Sequence, residues 1–270
     1  MMKTATHLSA FLDTAPAVAL VEVAEAKGST PREKGAWMLV SPQAILGTIG
    51  GGQLEFLAIA KARELIAENV ASGALDIPLG PEIGQCCGGR VEIGISLVDE
   101  SRRRELIARA EAEDAGRPHV YLFGGGHVGH ALAAALSLLP LDVVVIETRA
   151  EALEGMPATV TSRLTPVPEE AVREAPPASA FVVLTHDHSL DFLIVAEALR
   201  RGDAAYVGMI GSKTKKATFK SWYLKEAGGS EAGYAQLVSP IGGAEVRDKR
   251  PAVIAAMAAA EIMAALAKAG

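Results

Sequence analysis

Cysteine is almost missing from this chain: among 270 residues there are two, Cys86 and Cys87, and they are adjacent. Consecutive α-carbons lie about 3.8 Å apart, short of the ~4.4–6.8 Å that a disulfide spans. The pair therefore reads as thiols, and no disulfide framework is available. Basic charge in excess is also lacking. The 26 Lys and Arg are outnumbered by 32 Asp and Glu, for a net charge of -6, and they are scattered, which leaves no basic surface for nucleic acid. No apolar run reaches the ~18–20 residues that cross a bilayer. The stretch 252–267 is apolar but Ala-rich and interrupted by Glu261, so it reads as a packed helix. The first dozen residues hold one Lys and no apolar core with a small-residue cleavage site, so no signal peptide is expected. The expectation is a cytoplasmic protein with no membrane partner.

What is present is ordinary globular material. With 50% hydrophobic and 21% charged residues, wholesale disorder is excluded. The length suits two domains. From residue 17 to about 98, short β-rich runs alternate with Gly and Pro. Ala17–Ala24 and Gly35–Val40 flank the turn-rich Lys27-Gly-Ser-Thr-Pro-Arg32 and read as a long-looped hairpin. Gly50, Gly51 and Gly52 open a helix whose apolar residues run from Leu54 to Ile66 at helical spacing. Strands near Leu75–Leu79 and Val91–Val98 bracket Gly84-Gln-Cys-Cys-Gly-Gly89. The charged stretch Ser101–Arg117 reads as a helical connector. Beyond it strands and helices alternate regularly, which predicts a parallel sheet covered on both faces. The expected fold class is α/β: residues 1–117 form a smaller α+β domain with the Cys-Cys loop, and residues 118–270 form a Rossmann-like domain.

Four motifs follow strands of the second half and so share the carboxyl rim where open α/β sheets bind ligands, the fourth being Ser239-Pro-Ile-Gly-Gly243 after the last strand. Gly124-Gly-Gly126-His127-Val-Gly129 lies between a strand and a helix, the context in which G-x-G-x-x-G gains weight. Gly124 makes the tight turn, Gly126 lets backbone approach an anion, and Gly129 permits close helix packing. Glu147 ends the next strand, close to where a ribose-binding acid stands, and Arg149 follows it. NAD(P) is accordingly one candidate ligand, and an NAD(P)-dependent oxidoreductase one candidate function. Thr185-His186-Asp187-His188 forms the second motif. It resembles part of a zinc hydrolase site, but Leu190 and Asp191 occupy the positions where a carboxylate and a third His are needed. Gly211, Ser212 and Lys213 form the third, a possible phosphate cradle or simply a solvated first turn.

Read in order, these segments resemble the XdhC family of xanthine dehydrogenase accessory proteins. The residues that carry the resemblance are Lys27–Arg32 with Gly35-Ala-Trp-Met, Gly47-Thr-Ile-Gly-Gly-Gly-Gln-Leu-Glu55, Gly84-Gln-Cys-Cys-Gly-Gly-Arg-Val91, Phe123–Gly129, Thr185–His188, Tyr206–Lys213 and the terminal helix from Pro251 to Leu266. Near the end, Ile241-Gly-Gly-Ala-Glu-Val-Arg departs from the family's pattern, so no ligand contact is carried over there. The resemblance implies a chaperone that binds the molybdenum cofactor (molybdopterin) and holds it while a cysteine desulfurase supplies the terminal sulfur. It would then insert the cofactor into the molybdenum-binding subunit of apo xanthine dehydrogenase, working as a homodimer. Cys86 or Cys87 is then the candidate molybdenum ligand, since a thiolate is a soft donor. Gln85 and Gln53 are candidates to hydrogen-bond an oxo or sulfido ligand, and Glu55 to accept from pterin amines. The cysteine loop and the sheet rim are expected to serve one ligand.

Overall fold

The computed structural model describes residues 4–80, 88–243 and 246–269. The chain divides into two compact units, Met2–Ala115 and Gly116–Gly270.

In the first unit a five-stranded antiparallel sheet has the order β3-β2-β1-β5-β4, built from β1 (Ala19–Lys27), β2 (Trp37–Val40), β3 (Ile45–Gly47), β4 (Ser72–Pro78) and β5 (Arg90–Leu97). Successive side chains point to opposite faces of this sheet, and both faces are covered by helices. Ala19, Val21, Val23, Met38 and Val40 point to one face and bury Leu54, Ala58, Ala62 and Leu65 of α2 (Gly52–Glu68). Leu20 and Leu39 point to the other and bury Leu8 and Leu12 of α1 (Thr4–Thr14) and Leu106 and Ala110 of α3 (Glu100–Ala115). The charged connector segment is thus a helix with a narrow apolar stripe. Both strand pairs read from sequence are antiparallel neighbours. Helix α1 and the short strand β3 had no sequence signal. The first buries only two residues, and the second is three residues long at the sheet edge.

The second unit holds a six-stranded parallel sheet of order β11-β10-β9-β6-β7-β8. Its strands are β6 (His119–Phe123), β7 (Asp142–Glu147), β8 (Thr161–Leu164), β9 (Ala180–Val183), β10 (Tyr206–Met209) and β11 (Leu237–Val238). Renumbered within the unit, this is the 3-2-1-4-5-6 order of a doubly wound dinucleotide-binding sheet, with its switch point between β6 and β9. Helices α4 (His127–Leu136) and α9 (Pro251–Ala269) pack on one face. On the other lie α5 (Glu169–Glu174), α6 (His188–Arg201) and α7 (Lys213–Lys225), and the short α8 (Glu231–Tyr234) precedes β11.

Helix α9 corrects the run-length reading of the sequence: its 19 residues are long and apolar enough to cross a membrane by length and composition alone. Ala255, Ala258, Ala259, Ile262 and Leu266 are instead buried in the core of this unit. Its single acid has a structural use. Glu261 accepts hydrogen bonds from the Tyr206 hydroxyl at 2.9 Å and the Gly242 amide at 2.7 Å, tying the helix to β10 and to the loop after β11.

Candidate functional site

The chain leaves β6 through Gly124, whose φ of 118° lies in the region that only glycine adopts readily. A Cβ there would also sit 2.7 Å from the Leu184 carbonyl oxygen of the neighbouring loop. One at Gly129 would be driven into the carbonyl oxygen of Gly124, so this glycine lets α4 close onto the strand end. Gly126 differs. A Cβ on it would meet nothing within 4 Å, its φ is -74°, and it is exposed. Packing therefore explains Gly124 and Gly129 but not Gly126, which faces open space at the start of α4.

That helix start is uncapped. No side chain bonds its first turn, and among the described residues the amides of Gly126, His127 and Val128 have no partner. Unpaired amides at the positive end of a helix favour an anion. They open on a cleft of about 270 Å³ at the β6/β9 switch point, lined among others by Gly124, Gly126, His127, Glu147, Arg149, Thr185, His186 and Ile210. Of the rim residues read from sequence, the fold brings together Gly124, Gly126, His127, Gly129, Glu147, Arg149 and His186. Asp187 and His188 do not line the cleft. Asp187 caps α6 by accepting from Ser189 and Leu190, and those bonds hold its carboxyl below the ordinary range. Gly211, Ser212 and Lys213 also lie off the cleft lining. Ser212 caps α7 through the Lys215 amide, and Lys213 is exposed.

Glu147 reaches under the glycine loop rather than into open solvent; it is only 5% exposed. Its Oε2 accepts from the Gly125 amide at 2.9 Å and from Arg149 Nη2 at 3.3 Å, while Oε1 accepts from the Thr148 amide at 2.8 Å and the Arg149 amide at 3.2 Å. Burial, the largest single influence, pushes its carboxyl up. The bonds from Gly125, Arg149 and Thr148 together with the Arg149 charge outweigh it and bring the pKa down to about 2. Both oxygens are engaged, so a ribose would have to compete with the loop for this acid.

Sequence reading passed over a pair beneath the rim. Lys215 and Asp191 form a buried ion pair, with side chains 6% and 0% exposed. Asp191 also accepts from the Thr185 hydroxyl at 2.6 Å and the Thr185 amide at 3.1 Å. That use of Asp191, and the positions of the histidines, remove the zinc-hydrolase reading: among the described residues no group of three or more His, Cys, Asp or Glu could hold a metal ion.

In the first unit, the turn after β1, the Gly47–Gly52 loop and the ends of the Cys-Cys loop all emerge from the same end of the antiparallel sheet. Leu79 pairs with Gly88 and Gly89 through two hydrogen bonds of 2.8 Å, and Gly88 bridges to Ser29. Gln85, Cys86 and Cys87 lie outside the described residues. The loop before α2 is held by an acid from the helix that it opens. Glu55 Oε2 takes the Thr48 hydroxyl at 2.5 Å and the amides of Ile49 and Gly51 at 3.1 and 3.2 Å, while no side chain caps the first turn of α2. Gly52 and Gln53 are exposed on the first turn that follows.

Residues 120–262, more than half of the chain, match the family model described as the XdhC Rossmann domain. The chain belongs to the XdhC family. Residues 12–76 match a second model, the XdhC and CoxI family, so the family signal covers parts of both units. A curated relative, the Escherichia coli K12 protein YqeB, described as uncharacterized, is 27% identical over 255 residues. That match takes in 91% of this XdhC chain and 43% of YqeB, so the chain spans less than half of that relative's length. A crystal structure from Bacillus halodurans described as a xanthine dehydrogenase is similar with a TM-score of 0.83 at 18% identity, covering 99% of this chain and 96% of that one. At that identity the likeness speaks to the fold.

Proposed function

We propose that this XdhC-family chain serves xanthine dehydrogenase maturation by binding the molybdenum cofactor and passing it to the molybdenum-binding subunit of the apoenzyme. A cysteine desulfurase partner would add the terminal sulfur while the cofactor is held. The observation that carries the reading is the uncapped start of α4 opening on the rim cleft. Family membership supports the link to xanthine dehydrogenase.

The residues present fit the phosphate of the cofactor. The amides of Gly126, His127 and Val128 would donate to it, Gly126 leaves room for its approach, and Arg149 and His186 line the same cleft as polar partners. The bound cofactor would supply a molybdenum centre carrying the sulfido ligand that the target enzyme needs. The protein's own part is to bind, to orient and to shield. Cys86 and Cys87 are the chain's only thiols and the proposed soft donors to the metal, with Gln85 beside them as a hydrogen-bond donor.

A second reading, NAD(P) binding, is favoured by the strand order and the glycine loop. The engaged state of Glu147 counts against it.

Transfer is the test. Protein purified from a cofactor-producing host is mixed with apo xanthine dehydrogenase, and urate formation is followed. Activation above that given by an equal amount of free cofactor supports the proposal. Bound cofactor that never activates the apoenzyme defeats the delivery step. In parallel, calorimetric titration with NAD and NADP decides the second reading: saturable binding supports it and flat heats remove it.

A further inference from the structure

Lys215 stands in the first turn of α7, yet its side chain folds inward instead of facing water. Gly211 makes this possible, since a Cβ there would lie 2.7 Å from Cδ of that lysine. The ammonium group donates to two acceptors on different elements. One is the Asp191 carboxylate on α6, and the other is the Ile210 carbonyl oxygen at 3.1 Å, just past the end of β10. Asp191 in turn holds Thr185 by its amide and its hydroxyl, and the Thr185 hydroxyl also accepts from the Asp187 amide at 3.1 Å. Thr185 and Ile210 both line the rim cleft. One buried charge pair thus ties the loop after β9 to the loop after β10, and each loop supplies a wall of the same cleft.

We propose that Lys215 and Asp191 are positioning residues that fix these two walls relative to each other, and that retention of the cofactor depends on them. The claim about retention rests on the reading that this cleft holds the cofactor. A buried ion pair is a weak device for stability, because a well-packed apolar pair of similar volume serves the fold as well or better. An apolar pair would offer neither an acceptor to the Thr185 amide nor a donor to the Ile210 carbonyl. The structure gives these charges that second task.

The deciding variant is the double substitution Lys215→Met with Asp191→Leu, which removes both charges and keeps the bulk. Three measurements are made on it and on wild type: the thermal midpoint, hydrogen exchange of the segments around Thr185 and Ile210 in cofactor-free protein, and the rate at which bound cofactor is released. The proposal expects an unchanged or higher midpoint, exchange at Thr185 at least tenfold faster, and cofactor release at least tenfold faster. A folded double variant with wild-type exchange and wild-type release overturns it, and so does faster exchange with unchanged release. If the double variant fails to fold, Thr185→Val, which removes only the hydroxyl, replaces it under the same criteria. If wild type carries no cofactor, the functional proposal fails by itself and exchange alone judges the clamp: acceleration upholds it and unaltered exchange rejects it.

Discussion

The Oε2 atom of Glu147 lies 2.9 Å from the amide nitrogen of Gly125, so an acid at the end of one strand holds the loop that leaves the next. Because the folded pKa, about 2, is below the ordinary 4.5, the ionised carboxylate stabilises the fold above pH 4.5. That contribution is lost as pH falls from 4.5 toward 2. A shift of this size corresponds to about 3 kcal/mol at neutral pH. In Glu147→Gln one oxygen becomes an NH2 group that faces a backbone N–H. Urea unfolding at pH 7 is expected to show a loss of about 2–3 kcal/mol. The gap between wild type and variant should narrow steadily below pH 4.5. A gap that stays constant down to pH 3 would show that the carboxylate is not the source.

Gly126 and Gly129 are three residues apart and predict opposite phenotypes. Gly129→Ala forces a methyl group against the Gly124 carbonyl, backbone against which it has nowhere to go, and is expected to cost about 1–3 kcal/mol or more. Gly126→Ala meets nothing and has an ordinary φ, so its unfolding free energy should stay within about 0.5 kcal/mol of wild type. Its methyl group does enter the space assigned to the cofactor phosphate, so bound pterin in the purified variant should fall at least tenfold. Equal pterin content in Gly126→Ala and wild type would move the phosphate away from this helix.

In the first unit, Gly89 lies against backbone of the turn after β1: a Cβ would sit 2.7 Å from the Lys27 carbonyl oxygen and closer still to that of Ser29. Neither atom belongs to a flexible side chain. Gly89→Ala is expected to lower stability by about 1–3 kcal/mol. Gly94→Ala, with nothing within 4 Å of its Cβ, serves as the control. Similar thermal midpoints for the two variants would contradict the packing described for this end of the sheet.

Much of the architecture was legible in the sequence because parallel strands covered on both faces are short, nearly unbroken apolar runs. Ala180–Val183 is buried at all four positions, and the loop that follows it carries Thr185-His-Asp. The glycine motif was legible for the same reason, since it sits between such a strand and an Ala-rich helix. Side-chain engagement was not legible. Lys215 lies in a lysine-rich first helical turn, where sequence gives no reason to bury it, and its partner is 24 residues away on another helix. Glu147 could be recognised as a strand-end acid, but its hold on Gly125 depends on two loops meeting at the rim. Glu55 reads as a first-turn acid available to a ligand until the fold shows it turned back onto its own loop.

The cysteine pair supplies the prediction nearest to the metal. As the chain's only thiols, Cys86 and Cys87 are expected to be required for molybdenum retention and dispensable for the fold. Changing both to Ala should leave the circular dichroism spectrum unaltered and reduce bound molybdenum at least tenfold. Undiminished molybdenum in that variant would exclude them as ligands.

The most direct measurement is anaerobic purification from a host that makes the cofactor, with molybdenum quantified by mass spectrometry and the oxidised pterin by fluorescence on the same sample. The account predicts molybdenum and pterin in equal amounts, approaching one per chain. Protein that is fully folded yet carries neither would contradict it.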